Sequence, residues 1–215
     1  MWDDLDAVIE HYKTHAGQKV FLLGHSWGGM LATAYINAYP GKVDGAILGE
    51  PGGFTYAQMR EYLDRSHGYS LFSETLNDAV YLDQFLSGRG DEHEILDYKF
   101  GLWASADGAK DSPVGNEGPL PTWRAGAVVS DALFSIGEKD GFDWTTHLDQ
   151  FDTTILFVYS ENNTAYGEAH ARKVSSAYPN VQLFRVDDAG HDMLSFPRGW
   201  ANFYPVGLAY LNSLK

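Results

Sequence analysis

The sequence predicts an α/β fold: a mostly parallel sheet with flanking helices, interrupted by an inserted helical segment. Residues 1–48 follow the order helix, strand, helix, strand with short connections, which is typical of a parallel sheet joined by crossover helices. The same alternation returns over residues 154–214, again with apolar strands followed by helices. Between these two parts lies an aromatic-rich block without strand alternation.

Composition limits the class of protein. A chain of 215 residues can bury one good core, and a formal net charge of −14 argues against nucleic acid or an anionic membrane as partner. The chain has no cysteine, which excludes disulfides, thiol catalysis and cysteine–zinc sites. It shows no run long enough to span a bilayer and no signal peptide at its start. Compartment and oligomeric state stay open, with the cytoplasm as the default.

The first half of the sheet is predicted from two short apolar segments. Residues 2–12 carry apolar side chains at helical spacing, and Gly17 is expected to close that helix. A strand over residues 19–23 follows, and the next helix should stop near Pro40. Residues 43–48 then form a second buried strand.

The chain divides into a core, residues 1–53 and 147–215, and a helical cap insertion, residues 54–146. The many aromatic side chains of the insertion more often pack a layer of helices than bind a ligand. Within the insertion, helical segments are predicted over residues 57–64, 75–85 and 92–100, and a loop over residues 106–121.

The second half of the sheet is predicted from two further apolar runs. Residues 154–159 and 181–186 read as buried strands, and residues 165–178 as the helix between them. A last helix covers residues 198–214, and Pro205 should break or kink it.

The motif Gly-x-Ser-x-Gly connects the first strand to the second helix. Ser26 stands at the apex of this sharp turn, where the backbone is strained and the hydroxyl projects above the sheet. Small residues are expected on both sides, and Gly24 and Gly28 supply them. The following helix directs its positive end at the same place, so the amide of Trp27 could stabilise an oxyanion. The alternative is an ordinary strand-to-helix turn.

Among the eight histidines, His191 has the position expected of a catalytic base. It follows a strand of the parallel sheet, beside Gly190, and Ser26 also follows such a strand. Loops at the carboxyl ends of parallel strands share one crevice, so the separation in sequence is no obstacle. A serine hydroxyl needs a base of this kind. The alternative is a histidine in a surface loop.

Three stretches together resemble the α/β-hydrolase fold superfamily. They are GHSWGG at residues 24–29, ILFVY at residues 155–159 with its ENN loop, and AGHD at residues 189–192. The chain order of nucleophile, acid and histidine suits that family. The insertion resembles the helical cap of its proline iminopeptidase-like and haloalkane dehalogenase-like members. His25 is then expected to support the turn rather than to act as the base.

The acidic partner of the histidine departs from the usual pattern of this family. The resemblance would place an aspartate after the ILFVY strand, but Asn163 stands there. Some members carry the acid one strand earlier, and the corresponding residue here is Glu50. We predict Glu50 as the acid, with Glu161 second. The alternative is that Glu50 only supports its loop.

A second departure lies at the start of the chain. The family's sheet has several strands before the nucleophile strand, whereas only one helix precedes Lys19 here. Those strands also carry the loop that donates a second oxyanion amide. We therefore expect an N-terminally truncated chain, in which losing that donor would cost about a hundred- to a thousandfold in rate.

The resemblance and the residues together predict a serine hydrolase that cleaves an ester or amide of a small molecule through an acyl-enzyme. Ser26 attacks, His191 transfers the proton, Glu50 orients His191 and the Trp27 amide binds the oxyanion. An apolar or aromatic substrate group and a free amine both stay open. No cofactor or metal is implied, because no ligand cluster at metal spacing occurs. The rival is a non-catalytic hydrolase-fold protein that binds a small molecule or partner.

Overall fold

A computed structural model of the chain describes residues 1–66, 112–118 and 126–214, together with Asp97. Within these residues, four parallel strands form one sheet in the order β1-β2-β3-β4. The strands are β1 (Phe21–His25), β2 (Gly45–Gly49), β3 (Ile155–Ser160) and β4 (Val181–Val186). The helices are α1 (Trp2–Tyr12), α2 (Trp27–Ala38), α3 (Tyr56–Ser66), α4 (Ala127–Asp140), α5 (Gly167–Ser175) and α6 (Pro197–Ser213), with a 3₁₀ turn at Leu148–Gln150. The predicted α/β class with a parallel sheet is confirmed.

The parallel arrangement places the loop after each strand at the same edge of the sheet. Ser26 follows β1, Glu50 follows β2, and His191 lies in the loop after β4. Two backbone hydrogen bonds continue the sheet into these loops: Ser26 donates to the carbonyl of Gly49 at 2.7 Å, and Glu50 donates to that of Val158 at 2.9 Å. The backbones of Ser26 and Glu50 are therefore held by the sheet itself.

The sheet is covered on both faces. Alternate side chains of a strand point to opposite faces. Leu48 and Phe157 pack in the cluster that contains buried side chains of α2 and α5, whereas Ile47 and Leu156 pack with Phe203 of α6. Because β2 and β3 are buried on both faces, they form continuous apolar runs rather than alternating ones.

The first helix ends earlier than predicted. α1 stops at Tyr12, and Lys13 already has an extended backbone, so the prediction that Gly17 closes the helix is wrong. The side chain of Gln18 accepts a hydrogen bond from the amide of Thr14 at 2.8 Å, which organises a separate turn after the helix. A local side-chain contact of this kind competes with helix continuation.

Pro205 does not break the last helix. α6 runs through it as one element. Pro205 and Ala201 are both exposed, so the Ala201 carbonyl that loses its partner four residues later faces solvent. The opposite face of the helix is held by buried Phe203 and Tyr210. Of the predicted break or kink at Pro205, the break is therefore wrong, and a kink stays a prediction.

The insertion is described in part. The predicted helix over residues 57–64 lies within α3, and residues 112–118 form neither helix nor strand. The helices predicted over 75–85 and 92–100 lie outside the described residues except for Asp97, and the limits of the cap stay a prediction. Helix α4 was not predicted. Over the described ranges, the helices are too short or too polar to cross a membrane.

Tyr210 links α6 to the sheet and offers a test of this packing. Its hydroxyl donates to the carbonyl of Thr154 at 2.8 Å and accepts from the amide of Ala46 at 3.0 Å. Tyr210→Phe leaves the buried amide of Ala46 without this partner, so we expect the free energy of unfolding in urea to fall by about 1–3 kcal/mol. Tyr204→Phe, at an exposed position of the same helix, should change it by less than about 0.5 kcal/mol. Equal effects of the two substitutions would contradict this account.

Candidate active site

Ser26 occupies a strained turn between β1 and α2. Its φ of 54° and ψ of −121° are rare for a residue with a side chain, and such strain costs about 1–3 kcal/mol. A Cβ atom on Gly24 would lie 2.4 Å from the carbonyl oxygen of Gly28, so glycine is required at position 24. A Cβ on Gly28 would meet no atom within 4 Å. The prediction that close approach requires a small residue is therefore right for Gly24 and wrong for Gly28.

The start of α2 lies directly beside Ser26. Trp27 is the first residue of the helix, and the first amides of a helix have no partner within it. The carbonyl of Ser26 accepts hydrogen bonds from Gly29 at 3.0 Å and Met30 at 3.2 Å, which anchors the turn to the helix. The helix dipole and the amide of Trp27 are suited to stabilising negative charge next to Ser26.

The structure brings Ser26, His191 and Glu50 into one hydrogen-bonded chain. The Nε2 atom of His191 lies 2.9 Å from the hydroxyl oxygen of Ser26, and its Nδ1 atom lies 2.7 Å from Oε2 of Glu50. Because the carboxylate only accepts, Nδ1 carries the proton and Nε2 is left to accept the Ser26 hydroxyl. This is the arrangement in which an imidazole can remove a proton from a serine.

Glu50 is fully buried, and its carboxylate is held by four donors. Ser160 donates from both its amide and its hydroxyl at 2.6 Å, Asn163 donates from its side-chain nitrogen at 2.8 Å, and His191 completes the set. Glu50 also has a φ of 41°, a left-handed conformation that side chains rarely adopt. A buried carboxylate is expensive unless it is hydrogen-bonded, so these donors offset the cost of burial.

Glu161, the second candidate for the acid, lies elsewhere. Its carboxylate accepts from the amide of Asp188 at 3.0 Å and lies 3.4 Å from Arg185. The side chain is 37% exposed, in contrast to the fully buried Glu50. The geometry therefore favours Glu50 over Glu161.

Asn163 has a role that sequence reasoning missed. The sequence treats it as the place of a lost aspartate, whereas here its side-chain nitrogen holds Glu50 and also lies 3.2 Å from the hydroxyl of Tyr62. Its side-chain oxygen accepts from the amide of Tyr166 at 3.1 Å. Asn163 lies beside Glu50 because β2 and β3 are neighbours in the sheet. Predicting this contact would have required the strand order.

His25 contacts the loop that carries His191. Its Nε2 atom lies 2.6 Å from the carbonyl oxygen of His191, and because a carbonyl only accepts, His25 donates. Burial lowers the pKa of His25, and charge on His191 would lower it further. A neutral His25 therefore anchors the backbone of His191, which is compatible with the predicted supporting role.

Residues 112–118 hold the same loop from the other side. The carbonyl of Val114 accepts from the amide of His191 at 2.8 Å, and Asn116 accepts from the amide of Asp192 at 2.8 Å. A Cβ on Gly190 would lie 2.1 Å from the carbonyl oxygen of Gly115, so the two backbones touch. The sequence predicted a loop here, but nothing in it indicated this contact.

Helix α3 contributes Tyr62, whose hydroxyl lies 3.3 Å from Nδ1 of His191. The ring of Tyr62 stacks on that of His170, which donates from Nε2 to the carbonyl of Gly52 at 2.9 Å. Burial lowers the pKa of His170, in keeping with a neutral ring. The helix is thus tied to both the histidine loop and α5.

A cavity of about 510 Å³ opens beside Ser26 and His191. Its walls are mainly the apolar faces of three helices, with the stacked pair Phe142 and Trp144 next to them. The lining side chains on the helices are Trp2 of α1, Trp27, Met30, Leu31 and Ala34 of α2, Met59, Tyr62, Leu63 and Ser66 of α3, and Ser130, Leu133, Phe134 and Ile136 of α4. In the described part of the chain, no three histidine or acidic side chains form a group that could hold a metal ion.

Comparison with known proteins defines the class. Residues 1–203 match the alpha/beta hydrolase family, and the chain belongs to this family. This confirms the resemblance at the level of the superfamily, while the proline iminopeptidase-like or haloalkane dehalogenase-like branch stays a prediction.

Among curated proteins, 1-acylglycerol-3-phosphate O-acyltransferase ABHD5 of Sus scrofa is 51% identical over 47 residues, which cover 21% of this chain and 14% of that protein. Two solved structures are similar in fold. The bromoperoxidase of Bacillus anthracis has a TM-score of 0.62 at 19% identity, covering 98% of this chain and 72% of that one. The monoacylglycerol lipase of Paleococcus ferrophilus has a TM-score of 0.54 at 17% identity, covering 100% and 74%. At such identities the likeness concerns the fold alone.

Asn163→Asp tests how Glu50 is held. The substitution places a second carboxyl against the buried Glu50, and we expect the free energy of unfolding at neutral pH to fall by about 3 kcal/mol or more. Repulsion favours the protonated form of the introduced carboxyl in the folded state, so folding takes up protons and part of the lost stability returns as the pH falls.

The matched control is Asn162→Asp, which adds the same charge at an exposed neighbouring position and should change the stability by less than about 0.5 kcal/mol. Urea unfolding of both variants at neutral and mildly acidic pH measures the difference. If both variants lose the same stability, Asn163 has no special part in holding Glu50.

Proposed function

We propose that this protein is a serine hydrolase that cleaves an ester or amide of a small molecule through an acyl-enzyme intermediate. The observation that carries the proposal is the hydrogen-bonded chain from the hydroxyl of Ser26 through His191 to the buried carboxylate of Glu50, with distances of 2.9 and 2.7 Å. Membership of the alpha/beta hydrolase family supports it.

In the first half of the reaction, the hydroxyl oxygen of Ser26 attacks the substrate carbonyl while Nε2 of His191 takes its proton. The imidazolium that forms is stabilised by Glu50, which accepts the hydrogen bond from Nδ1. The amide of Trp27 and the positive end of α2 stabilise the negative charge that develops on the carbonyl oxygen.

The tetrahedral intermediate then collapses: the bond from the carbonyl carbon to the leaving group breaks, His191 gives its proton to the departing alcohol or amine, and Ser26 is left acylated. In the second half, water enters in place of the leaving group and attacks the acyl carbonyl while His191 takes its proton. The ester bond to Ser26 then breaks, His191 returns the proton to the Ser26 oxygen, and the carboxylic acid is released. Glu50 keeps the imidazole in the same tautomer throughout.

Labelling with a fluorophosphonate tests whether Ser26 is activated. We expect one adduct on Ser26 by intact mass and peptide mapping, and none on Ser26→Ala. Prior acylation with a p-nitrophenyl ester should block the adduct. The rival function, a hydrolase-fold protein that only binds a small molecule or partner, predicts no adduct on the folded chain.

The identity of the acid is tested by two isosteric substitutions. Glu50→Gln should lower the rate of acylation by roughly a thousandfold or more, because an amide neither fixes the tautomer nor stabilises the imidazolium. Glu161→Gln removes an exposed charge and should change the rate by less than about threefold. Far-ultraviolet circular dichroism checks that both variants are folded. A loss of rate that follows Glu161→Gln alone would overturn the assignment of Glu50.

A further inference from the structure

The cavity beside Ser26 has a shape and chemistry that narrow the substrate class. We propose that it binds an uncharged alkyl acyl chain of middle length, so that the substrates are esters of medium-chain carboxylic acids. The inference rests on the proposed function, because the acyl group must reach Ser26, but it concerns the cavity and is tested separately.

One wall of the cavity is a continuous apolar face of α2. Trp27, Met30, Leu31 and Ala34 recur at positions three, four and seven along the helix, which places them on one side. At a rise of 1.5 Å per residue, this face extends for about 10 Å from the end that carries Ser26. The cavity therefore leads from the nucleophile along the helix axis.

The opposite walls are apolar as well. Met59 and Leu63 of α3 and Leu133 and Phe134 of α4 face the same space. Each methylene group that moves from water into such surroundings gains a factor of about four in binding. An acyl chain that follows α2 would gain this factor for each of its methylene groups, whereas an acetyl group would leave most of the cavity unused.

The charges of the lining argue against a substrate with a free amine near the acyl carbon. Of the lining residues in the described ranges, Asp192 carries the one carboxylate, and none is lysine or arginine. Asp192 accepts a hydrogen bond from the side-chain amide of Asn116. A buried ammonium group without a partner is expensive, so these described walls favour a neutral acyl group.

The length of the α2 face sets the length of the chain. Carbon–carbon bonds of about 1.5 Å advance an extended alkyl chain by somewhat less than that per atom. An apolar face of about 10 Å therefore accommodates an acyl chain of about eight carbons. An octanoyl group fits this description, whereas a palmitoyl group exceeds it.

The first experiment compares p-nitrophenyl acetate, octanoate and palmitate, with proline p-nitroanilide as the substrate that carries an amine. We expect kcat/KM for octanoate to exceed that for acetate by on the order of a thousandfold, since the two differ by six methylene groups, and to exceed that for palmitate. Turnover of the proline compound should be lowest. Acetate or the proline compound as the best substrate would overturn the inference and leave the proposed function standing.

Substitutions at Leu31 test whether the α2 face sets the preference for the length of the acyl chain. Leu31→Trp obstructs the cavity along the α2 face and should lower kcat/KM for octanoate by about tenfold or more, with less than about threefold effect on acetate. Leu31→Ala enlarges the cavity and should improve palmitate relative to octanoate. Ala38→Trp, on an exposed position of the same helix outside the cavity, is the matched control and should change neither ratio. If Leu31→Trp and Ala38→Trp act alike, the chain does not follow α2.

A binding measurement separates this inference from the proposed function. Ser26→Ala cannot form an acyl-enzyme, and the fluorescence of Trp27 and Trp144 at the cavity reports binding of methyl octanoate. We expect binding that is weakened by adding Leu31→Trp and not by adding Ala38→Trp. If the wild-type protein neither reacts with fluorophosphonate nor turns over any ester, the proposed function fails, while saturable binding with this pattern still supports the acyl cavity. Absence of binding would overturn the cavity assignment itself.

Discussion

The buried carboxylate of Glu50 is the constraint on which the rest of the site depends. An isolated charge at this position would be very unfavourable, so the fold must supply hydrogen-bond donors from several directions. They come from the end of β3, where Ser160 lies, from the loop after it, with Asn163, and from the loop after β4, with His191. The parallel sheet, in which β2, β3 and β4 are neighbours, brings these groups to one edge. The strand order therefore supplies the donors that a carboxylate at position 50 needs.

Hydrogen bonds hold the strained backbone at the site in place. Ser26 and Glu50 both have positive φ values, and each would relax if its surroundings allowed it. The hydrogen bonds from Ser26 to Gly49 and from Glu50 to Val158 hold the two residues to the sheet. The His191 loop is fixed from two sides, by His25 and by Val114. These contacts hold the three polar side chains within hydrogen-bonding distance of one another.

The parts of the fold that sequence reasoning predicted are those with a strong local signal. Apolar runs gave the strands to within two residues, and the turn and loop chemistry singled out Ser26 and His191. Glu50 was chosen by resemblance to a family, and its hydrogen bond to His191 agrees with that choice, although its catalytic role stays a prediction. The contacts of Asn163 were out of reach, because they depend on which strands are neighbours. The end of α1 was missed because a side-chain contact of Gln18 competed with the helical pattern.

Helix α2 contributes both to the turn that carries Ser26 and to the wall of the cavity. One face, with Tyr35 and Ile36, is packed in the core and fixes the helix relative to the sheet, while the other face, with Met30 and Leu31, lines the cavity. Its first turn meets Ser26, whose position depends on close approach at Gly24. The cavity-lining side chains of Leu31 and Ala34 lie beyond that turn. Under the two proposals, the turn at the start of α2 serves the reaction chemistry, and Leu31 and Ala34 further along the same helix serve the choice of acyl group.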